Sequence, residues 1–296
     1  MARGIDHLVV AIRDLDAGAR FYEAMGFQVG ARNRHPWGTE NRLVQFPGCF
    51  VELITMGEGG QTPEHAADRF SFGAFVRDYL ERREGLAMLV LDSGDAVADA
   101  DSFAAAGIGS FEPFHFERRG LRPDGSPVEV AFTLAFAQDP AIPNAGFFVC
   151  QQHYPENFWN PAFQEHPNGA LGLAVAMLAA GEPPAHSAFL STFTGATAGS
   201  ASGADLSFLL ARGRLDVLTP DDAAELYGSV ETADEPCLAA FTVSVADIDR
   251  VARHLSGGIP HQRIGSRLVV PASAAHGVAI AFEQSLSDLD PARLLP

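Results

Sequence analysis

The sequence predicts an α+β protein of four βαβββ modules, paired into two partly closed eight-stranded sheets with outer helices. Three observations support this prediction. The chain has 296 residues, enough for two domains at roughly 150 residues each. The order of one strand, one helix and further strands recurs along it, with starts near residues 5, 86, 170 and 238. Finally, a module of this kind has one apolar sheet face to bury, so two modules must pair, leaving a cleft between them.

The first module is the clearest. Residues 5–12 form an apolar run rich in β-branched residues, typical of a buried strand. Asp14 begins a helix with apolar residues at helical spacing, and Gly26 ends it. Short apolar runs separated by turn residues then predict strands over residues 27–31, 42–46 and 50–55.

The other modules repeat this order, and the third has the weakest pattern. In the second module we predict strands over residues 86–91, 111–117, 128–137 and 146–151, a helix from Asp95 to Gly107, and a hairpin turn at residues 123–125. In the third we predict strands over residues 171–178, 206–210 and 214–218, with a helix over 183–195. In the fourth we predict strands over residues 238–245, 267–270 and 278–282, with a helix over 247–255.

The segment 153–168 has three prolines and no apolar periodicity, which is typical of a connector. The sequence therefore predicts an N-terminal domain over residues 1–152 that carries the cleft, a linker over 153–168, and a C-terminal domain over 169–296 whose two modules are degenerate.

Charge and cysteine content restrict the partners and the compartment. With 37 acidic against 20 basic side chains, the net charge of −17 would repel nucleic acid and anionic membranes. The three cysteines lie far apart in or beside apolar runs, as expected of buried thiols in a reducing compartment. No stretch of about 18 uncharged apolar residues occurs. We expect a cytoplasmic protein that acts on a small molecule.

Two polar residues interrupt the apolar strands of the first module. His7 lies within the first strand, and Glu52 lies in the last. A buried ionised carboxylate is costly unless it is paired or coordinated. A metal ion held by both side chains would satisfy this requirement, and so would a buried ion pair of Glu52 with His7 or Arg42.

The loop over residues 32–42 concentrates basic and aromatic side chains in an otherwise acidic chain. Trp37 offers a stacking surface, while Asn41 and Arg42 offer hydrogen-bond donors for an anionic or carbonyl-rich substrate. The alternative is a solvated hairpin loop. Arg118 and Arg119, near the turn of the second module, favour a solvated hairpin.

Several of these segments resemble the vicinal oxygen chelate superfamily, and specifically its glyoxalase-like branch. The resemblance covers nearly the whole chain but is specific only in the first module and around residues 159–170. It rests on the opening strand, the residues Asp14-Leu15, Phe21-Tyr22 and Gly26-Phe27, and the stretches 37–43 and 166–170.

The resemblance implies a divalent metal in the cleft, held by a histidine on the first strand of a module and a glutamate on its last. These positions map onto His7 and Glu52. A third ligand is expected from the end of the second module, where Gln151 and His153 share one face of a strand. We assign His153 to the metal and Gln151 to the substrate, with a strand-capping role for His153 as the alternative. The metal is Zn, Mn, Ni, Fe or Mg.

Three functions follow from the resemblance. The preferred one is a metal-dependent lyase or isomerase that chelates two vicinal oxygens of a small metabolite, with Glu52 as the catalytic proton shuttle. Met88 replaces the histidine of the second module, which keeps a metal-free small-molecule binding or resistance protein as an alternative. An extradiol-type dioxygenase is a further alternative, although residues 170–296 contain no His/Glu pair on the corresponding strands. A homodimer also remains open, since four modules can pair within one chain.

Overall fold

The computed structural model describes residues 1–59, 62–121, 127–200, 203–230 and 235–285. The first sheet joins its strands in the order β2-β3-β4-β1-β5-β8-β7-β6. At its centre, β1 is parallel to β4 and antiparallel to β5, which is parallel to β8. The strands are β1 (Ile5–Ala11), β2 (Asn33–Arg34), β3 (Thr39–Phe46), β4 (Cys49–Met56), β5 (Gly85–Asp92), β6 (Phe114–Leu121), β7 (Pro127–Ala137) and β8 (Gly146–Gln152).

The second sheet repeats this topology in the order β10-β11-β12-β9-β13-β16-β15-β14. Its central strands pair as in the first sheet, with β9 parallel to β12 and antiparallel to β13. The strands are β9 (Ala170–Ala179), β10 (Gly199–Ser200), β11 (Leu206–Leu209), β12 (Arg214–Leu218), β13 (Cys237–Val245), β14 (Gln262–Ile264), β15 (Arg267–Val270) and β16 (Ala279–Gln284). The predicted α+β class and its eight-stranded sheets are confirmed.

Seven α-helices connect the strands of the described residues. Asp14 and Asp95 accept hydrogen bonds from the first backbone N–H groups of α1 and α3, so both predicted helix starts are confirmed. The helices are α1 (Leu15–Ala24), α2 (Phe72–Arg82), α3 (Ala96–Ala105), α4 (Pro155–Phe158), α5 (Ser187–Thr194), α6 (Pro220–Tyr227) and α7 (Ile248–Leu255), with 3₁₀ turns at Pro161–Phe163, Pro183–His186 and Ala272–Ala274.

The structure corrects two predictions about elements. Residues 27–31 form no strand: the Gly30 N–H donates to Leu43 O of β3, but the Gln28 N–H donates to the His166 ring. The helix predicted over residues 183–195 is a 3₁₀ turn followed by the shorter α5. The predicted turn at residues 123–125 lies outside the described residues, while β6 and β7 on either side of it pair as a hairpin.

One apolar core joins the two sheets. Side chains from β1 and β5, such as Leu8 and Leu91, belong to the same buried cluster as Phe241 of β13. Helices α1, α3, α5 and α7 contribute to this cluster, and rings meet across the halves, as Phe27 and Phe282 do at 5.8 Å. The opposite face of each sheet is covered in part by one further helix, α2 on the first sheet and α6 on the second.

No helix in the described part of the chain is long and apolar enough to span a membrane.

An aromatic cavity with a polar wall as the candidate site

A cavity of about 220 Å³ lies on the α2 face of the first sheet. Pockets that bury drug-sized ligands generally measure about 300–1,000 Å³, so this cavity suits a smaller molecule. Seven aromatic side chains contribute to its lining, and its polar side chains come mainly from β1 to β4. The aromatic residues are Trp37, Phe50, Phe72, Phe116, Phe132, Phe148 and Phe158, and the polar or charged residues are His7, Asn33, Arg34, His35, Asn41, Glu52, Glu117 and Arg118.

His7 enters the cavity from β1 beside a bulge in the pairing of β1 with β5. A bulge bends a strand and redirects a side chain, and here consecutive residues contact each other. The Asp6 carboxylate lies 2.6 Å from His7 Nδ1, and its second oxygen accepts a hydrogen bond from Gln152 Nε2 at 2.8 Å. The His7 ring stacks on Phe50 at 4.2 Å. These contacts hold the ring with Nε2 directed towards β4.

Glu52 faces His7 from β4. Its Oε2 lies 3.8 Å from His7 Nε2, while its Oε1 accepts a hydrogen bond from Asn41 Nδ2 at 2.5 Å. Both acidic side chains, Asp6 and Glu52, are buried. The His7 ring therefore lies between two carboxylates at the floor of the cavity.

The loop between β2 and β3 forms one wall of the cavity. His35 stacks on Trp37 at 4.6 Å, and Trp37 meets Phe116 edge to face at 4.8 Å. Burial lowers the pKa of His35, and the nearby Arg118 charge lowers it further, while Glu52 opposes this change. A neutral His35 is therefore favoured at neutral pH.

Cys150 contributes a thiol to the same cavity from β8. Burial raises its pKa well above the ordinary value, and the charges of Asp6 and Glu52 act in the same direction. Since the thiolate is the form that binds metals and attacks electrophiles, Cys150 contributes here as an apolar side chain.

The structure brings together four of the residues predicted for the site. His7, Glu52, Trp37 and Asn41 all line the cavity. Arg42 does not line the cavity, because its guanidinium donates to Gly30 O and to the Asp16 carboxylate of α1.

The side chains of Gln151 and His153, at the end of β8, also lie outside the cavity. The Gln151 side chain bonds to the backbone at the start of α3, and His153 Nε2 bonds to the Thr133 hydroxyl. Neither side chain lines the cavity, whose β8 residues are Phe148 and Cys150. The structure thus does not bring His153 and Gln151 together with His7 and Glu52.

From the sequence, Asp6, Asn33 and Cys150 had no predicted role at the site, while His35 was expected only as one of the basic and aromatic residues of the loop 32–42, and Arg118 was expected on a solvated hairpin. For Asp6 a signal exists, because an acidic residue before His7 in an apolar strand needs a buried partner. Arg118 and Asn33 become neighbours only through the curvature of the sheet, since they lie on its opposite edge strands, β6 and β2.

The side chains at the cavity floor fit part of a metal site. Asp6 engages His7 Nδ1 and leaves Nε2 for coordination, the usual arrangement of a metal-binding histidine and its carboxylate partner. Glu52 offers a carboxylate oxygen beside it. Within the described ranges, no group of three or more His, Cys, Asp or Glu side chains is placed to hold a metal.

The two sheets of paired βαβββ modules, with a polar cluster in the cleft of one of them, define a protein of the vicinal oxygen chelate superfamily. Residues 5–194 match the model of the glyoxalase-like domain, and the chain belongs to that family. No curated protein matches the chain by sequence.

Solved structures share the fold at low sequence identity. A hypothetical protein from Staphylococcus aureus is 12% identical, with a TM-score of 0.64 over 96% of this chain and 100% of its own. The Mn(II)-bound glyoxalase from Novosphingobium aromaticivorans is 12% identical, with a TM-score of 0.56 over 96% and 83%. Homoprotocatechuate 2,3-dioxygenase from Arthrobacter globiformis is 11% identical, with a TM-score of 0.53 over 96% and 80%. These similarities establish the fold.

Proposed function

We propose that the protein is a metal-dependent enzyme of the lyase or isomerase type, which moves a proton on a small oxygen-bearing metabolite bound in the aromatic cavity. The observation that carries this proposal is the buried trio of Asp6, His7 and Glu52 at the cavity floor. The histidine offers a metal ligand, and Glu52 beside it offers a proton acceptor, at positions that are both buried.

Each residue of the trio has a separate role. Asp6 orients the His7 ring, and His7 Nε2 and Glu52 Oε2 face the same point of the cavity. Asn41 holds the other Glu52 oxygen through its amide, so that Oε2 is the oxygen available to ligand or proton. Glu52 Oε2 takes a proton from the substrate and returns it at a neighbouring atom, and it would be a metal ligand only while it is not protonated.

The proposed ion would be held by His7 Nε2 and Glu52. When bound, a divalent metal polarises two neighbouring substrate oxygens as a Lewis acid. Stacking of His7 on Phe50 and the bond from Asn41 to Glu52 hold both ligands in place before the substrate arrives.

The first test is metal analysis of the untagged protein, purified without chelator. We expect about one equivalent of a divalent ion in the wild type and its loss in His7→Ala and Glu52→Gln, with the near-UV circular dichroism unchanged. Glu283→Gln is the matched control, because Glu283 lies on the last strand of the fourth module and pairs with Arg267. Full occupancy in Glu52→Gln would overturn the assignment of the ligands.

Catalysis is tested separately with an excess of the divalent ion added to every protein. Small 2-oxoaldehydes and hydroxy ketones are incubated in deuterated water, and deuterium incorporation next to the carbonyl is followed by NMR. We expect incorporation with the wild type and Glu283→Gln but not with Glu52→Gln. Equal incorporation by all three proteins would remove Glu52 from the proton transfer.

A metal-free ligand-binding protein is the second candidate. It is favoured by strands β5 and β8 of the second module, because β8 places only Phe148 and Cys150 on the cavity face and neither strand contributes a histidine or a carboxylate to the lining residues. If the wild type neither carries nor takes up a divalent ion and still binds small aromatic compounds, this candidate replaces the enzyme.

A further inference from the structure

The polar side chains of the cavity form one chain of hydrogen bonds from its rim to its floor. Arg118 Nη1 donates to Asn33 Oδ1 at 3.1 Å, and Asn33 Nδ2 donates to Asn41 Oδ1 at 3.1 Å. Asn41 Nδ2 in turn donates to Glu52 Oε1 at 2.5 Å. The chain therefore has a cation at the exposed end and a carboxylate at the buried end, with two neutral amides between them.

Arg118 differs from the other cations near the rim. Arg34 pairs with Glu40 at 3.0 Å, and Arg119 pairs with Glu117 at 3.3 Å. Among the residues that the structure describes, no carboxylate lies within 4.0 Å of the Arg118 guanidinium. Arg118 therefore lacks an acidic partner, although the chain has 37 acidic residues. A guanidinium has five N–H donors, and a single bond to Asn33 leaves most of them for a ligand.

An aromatic surface continues directly from Arg118. Phe114, Phe116 and Arg118 alternate along β6 and so share one face. The Phe116 ring stacks on Phe132 of β7 at 5.1 Å, and Phe132 and Arg118 both line the cavity. A flat ligand lying on this surface would place a substituent at its outer end against the guanidinium.

We propose that the ligand of this cavity is a planar aromatic carboxylate of about one ring, whose carboxylate binds Arg118 at the rim and whose ring lies on Phe116 and Phe132. The inference rests on the proposed small-molecule function of the same cavity, but it does not require the metal or Glu52. The two amides separate the ligand carboxylate from the Glu52 carboxylate, so the like charges stay apart. A guanidinium binds a carboxylate with two parallel hydrogen bonds, which favours this anion at Arg118.

The test compares benzoate with its neutral isostere benzamide. Binding is measured by calorimetry in the presence of a chelator, on the wild type, Arg118→Gln and Arg119→Gln. Arg119 is the matched control, because it is the next residue of β6, is not among the residues that line the cavity and is paired with Glu117. We expect benzoate to bind the wild type and Arg119→Gln at least about tenfold more tightly than benzamide, and Arg118→Gln to bind both alike.

Several results of this titration would contradict the inference. Absence of benzoate binding at millimolar concentration, or an unchanged benzoate preference in Arg118→Gln, overturns the inference. Displacement of benzoate by inorganic phosphate at equal affinity overturns the part played by the ring.

The same titration on Glu52→Gln separates this inference from the proposed enzyme. A benzoate preference that persists in Glu52→Gln supports the rim site even where the metal assay fails. A preference that disappears in that variant would show that the binding of benzoate depends on Glu52, and it would overturn the inference.

Discussion

Asp6 acts on the proposed chemistry only through its neighbour. Two consecutive residues of a regular strand point to opposite faces, yet the bulge in β1 brings the Asp6 carboxylate to 2.6 Å from His7 Nδ1. Its second oxygen is held by Gln152 on β8, so the carboxylate is fixed from two strands. Asp6 is thus a positioning residue, which selects the His7 tautomer with a free Nε2.

Replacing Asp6 with Asn tests this role. We expect Asp6→Asn to lower metal affinity by about 10–100-fold, because loss of the carboxylate partner of a ligating histidine has this effect. We also expect a change in the ¹⁵N shifts of the His7 ring, which report the tautomer directly. Asp92→Asn is the control, since Asp92 lies on β5 and contacts Gly4 and Arg212. Unchanged His7 shifts in Asp6→Asn would contradict a positioning role.

The three cysteines are expected to be unreactive in the native protein. All of them are buried, and burial raises the pKa of Cys49 to about 11 and that of Cys150 well above its usual range. Because the thiolate is the reactive form, a thiol reagent at pH 8 should label the native protein slowly. Three equivalents should react once the protein is unfolded in guanidinium. Rapid labelling of Cys150 in the native protein would show that the cavity around it opens to solvent.

The sequence predicted part of this site, because alternation along a strand shows which residues share a face but not where that face lies in the fold. A lone histidine and a lone glutamate in apolar strands pointed to His7 and Glu52, and both line the cavity. Alternation also predicted that Gln151 and His153 share a face, but not which face of the sheet this is. Arg118 came to the site through the closing of the sheet, which brings β6 near β2, and no local pattern encodes that contact.

At the scale of elements, the helices α2 and α6, which cover part of the face of each sheet opposite the shared core, were not predicted. Their start signals are present, because Ser71 accepts a hydrogen bond from Ala74 N, and Thr219 with Pro220 begins α6. The βαβββ order contains no helix after its last strand, so it does not predict these two helices. Each of them follows the last strand of a module, α2 after β4 and α6 after β12, and they therefore occur at equivalent places in the two halves of the chain.

The segment at the end of the linker ties the second half to the first module. The His166 ring accepts a hydrogen bond from the Gln28 N–H at Nδ1 and donates from Nε2 to Gln45 O at 2.8 Å. Asn168 donates from its side chain to Met25 O at 3.0 Å. The stretch 166–170, which carried part of the family resemblance, thus has a structural role in this protein.

His166 should make stability depend on pH. Burial lowers the pKa of His166, so the folded protein resists protonation while the unfolded chain binds a proton below its usual pKa of 6.5. Its contribution to the free energy of unfolding is complete above pH 6.5 and declines as the pH falls. His35, with a pKa lowered by burial, adds to this trend.

Urea unfolding at pH 7.5 and pH 5.5 measures this effect. The wild type should unfold at lower urea at the lower pH. His166→Gln should lose about 1–3 kcal/mol at pH 7.5, because buried backbone groups lose their partners, and should show a weaker dependence on pH. His261→Gln, at an exposed position, should behave as the wild type. Equal pH dependence in all three proteins would assign the trend to other groups.

At the scale of the whole molecule, the two halves share one core. The rings of Phe103 on α3 and Phe193 on α5 lie 6.1 Å apart, and Phe147 of β8 meets Phe189 of α5 at 5.1 Å. Polar contacts follow the same boundary, since Arg212 donates to Ile5 O and Arg3 donates to Phe193 O. The segment 153–168 lies between the last strand of the first sheet and the first strand of the second, and the packing of the two sheets crosses it.

A shared core predicts that the two sheets unfold together. We expect one calorimetric transition whose calorimetric and van't Hoff enthalpies agree, because neither sheet keeps its buried face once the other unfolds. Arg212→Gln should lower the midpoint slightly without splitting the transition, since its ion pair with Asp92 is partly exposed. The fragment 1–152 should aggregate or remain unfolded, because Leu8, Leu91 and their neighbours in the shared cluster would face water. Two separate transitions, or a monomeric fragment with native near-UV circular dichroism, would instead show that each sheet is stable alone, and the cavity could then be studied without the second half.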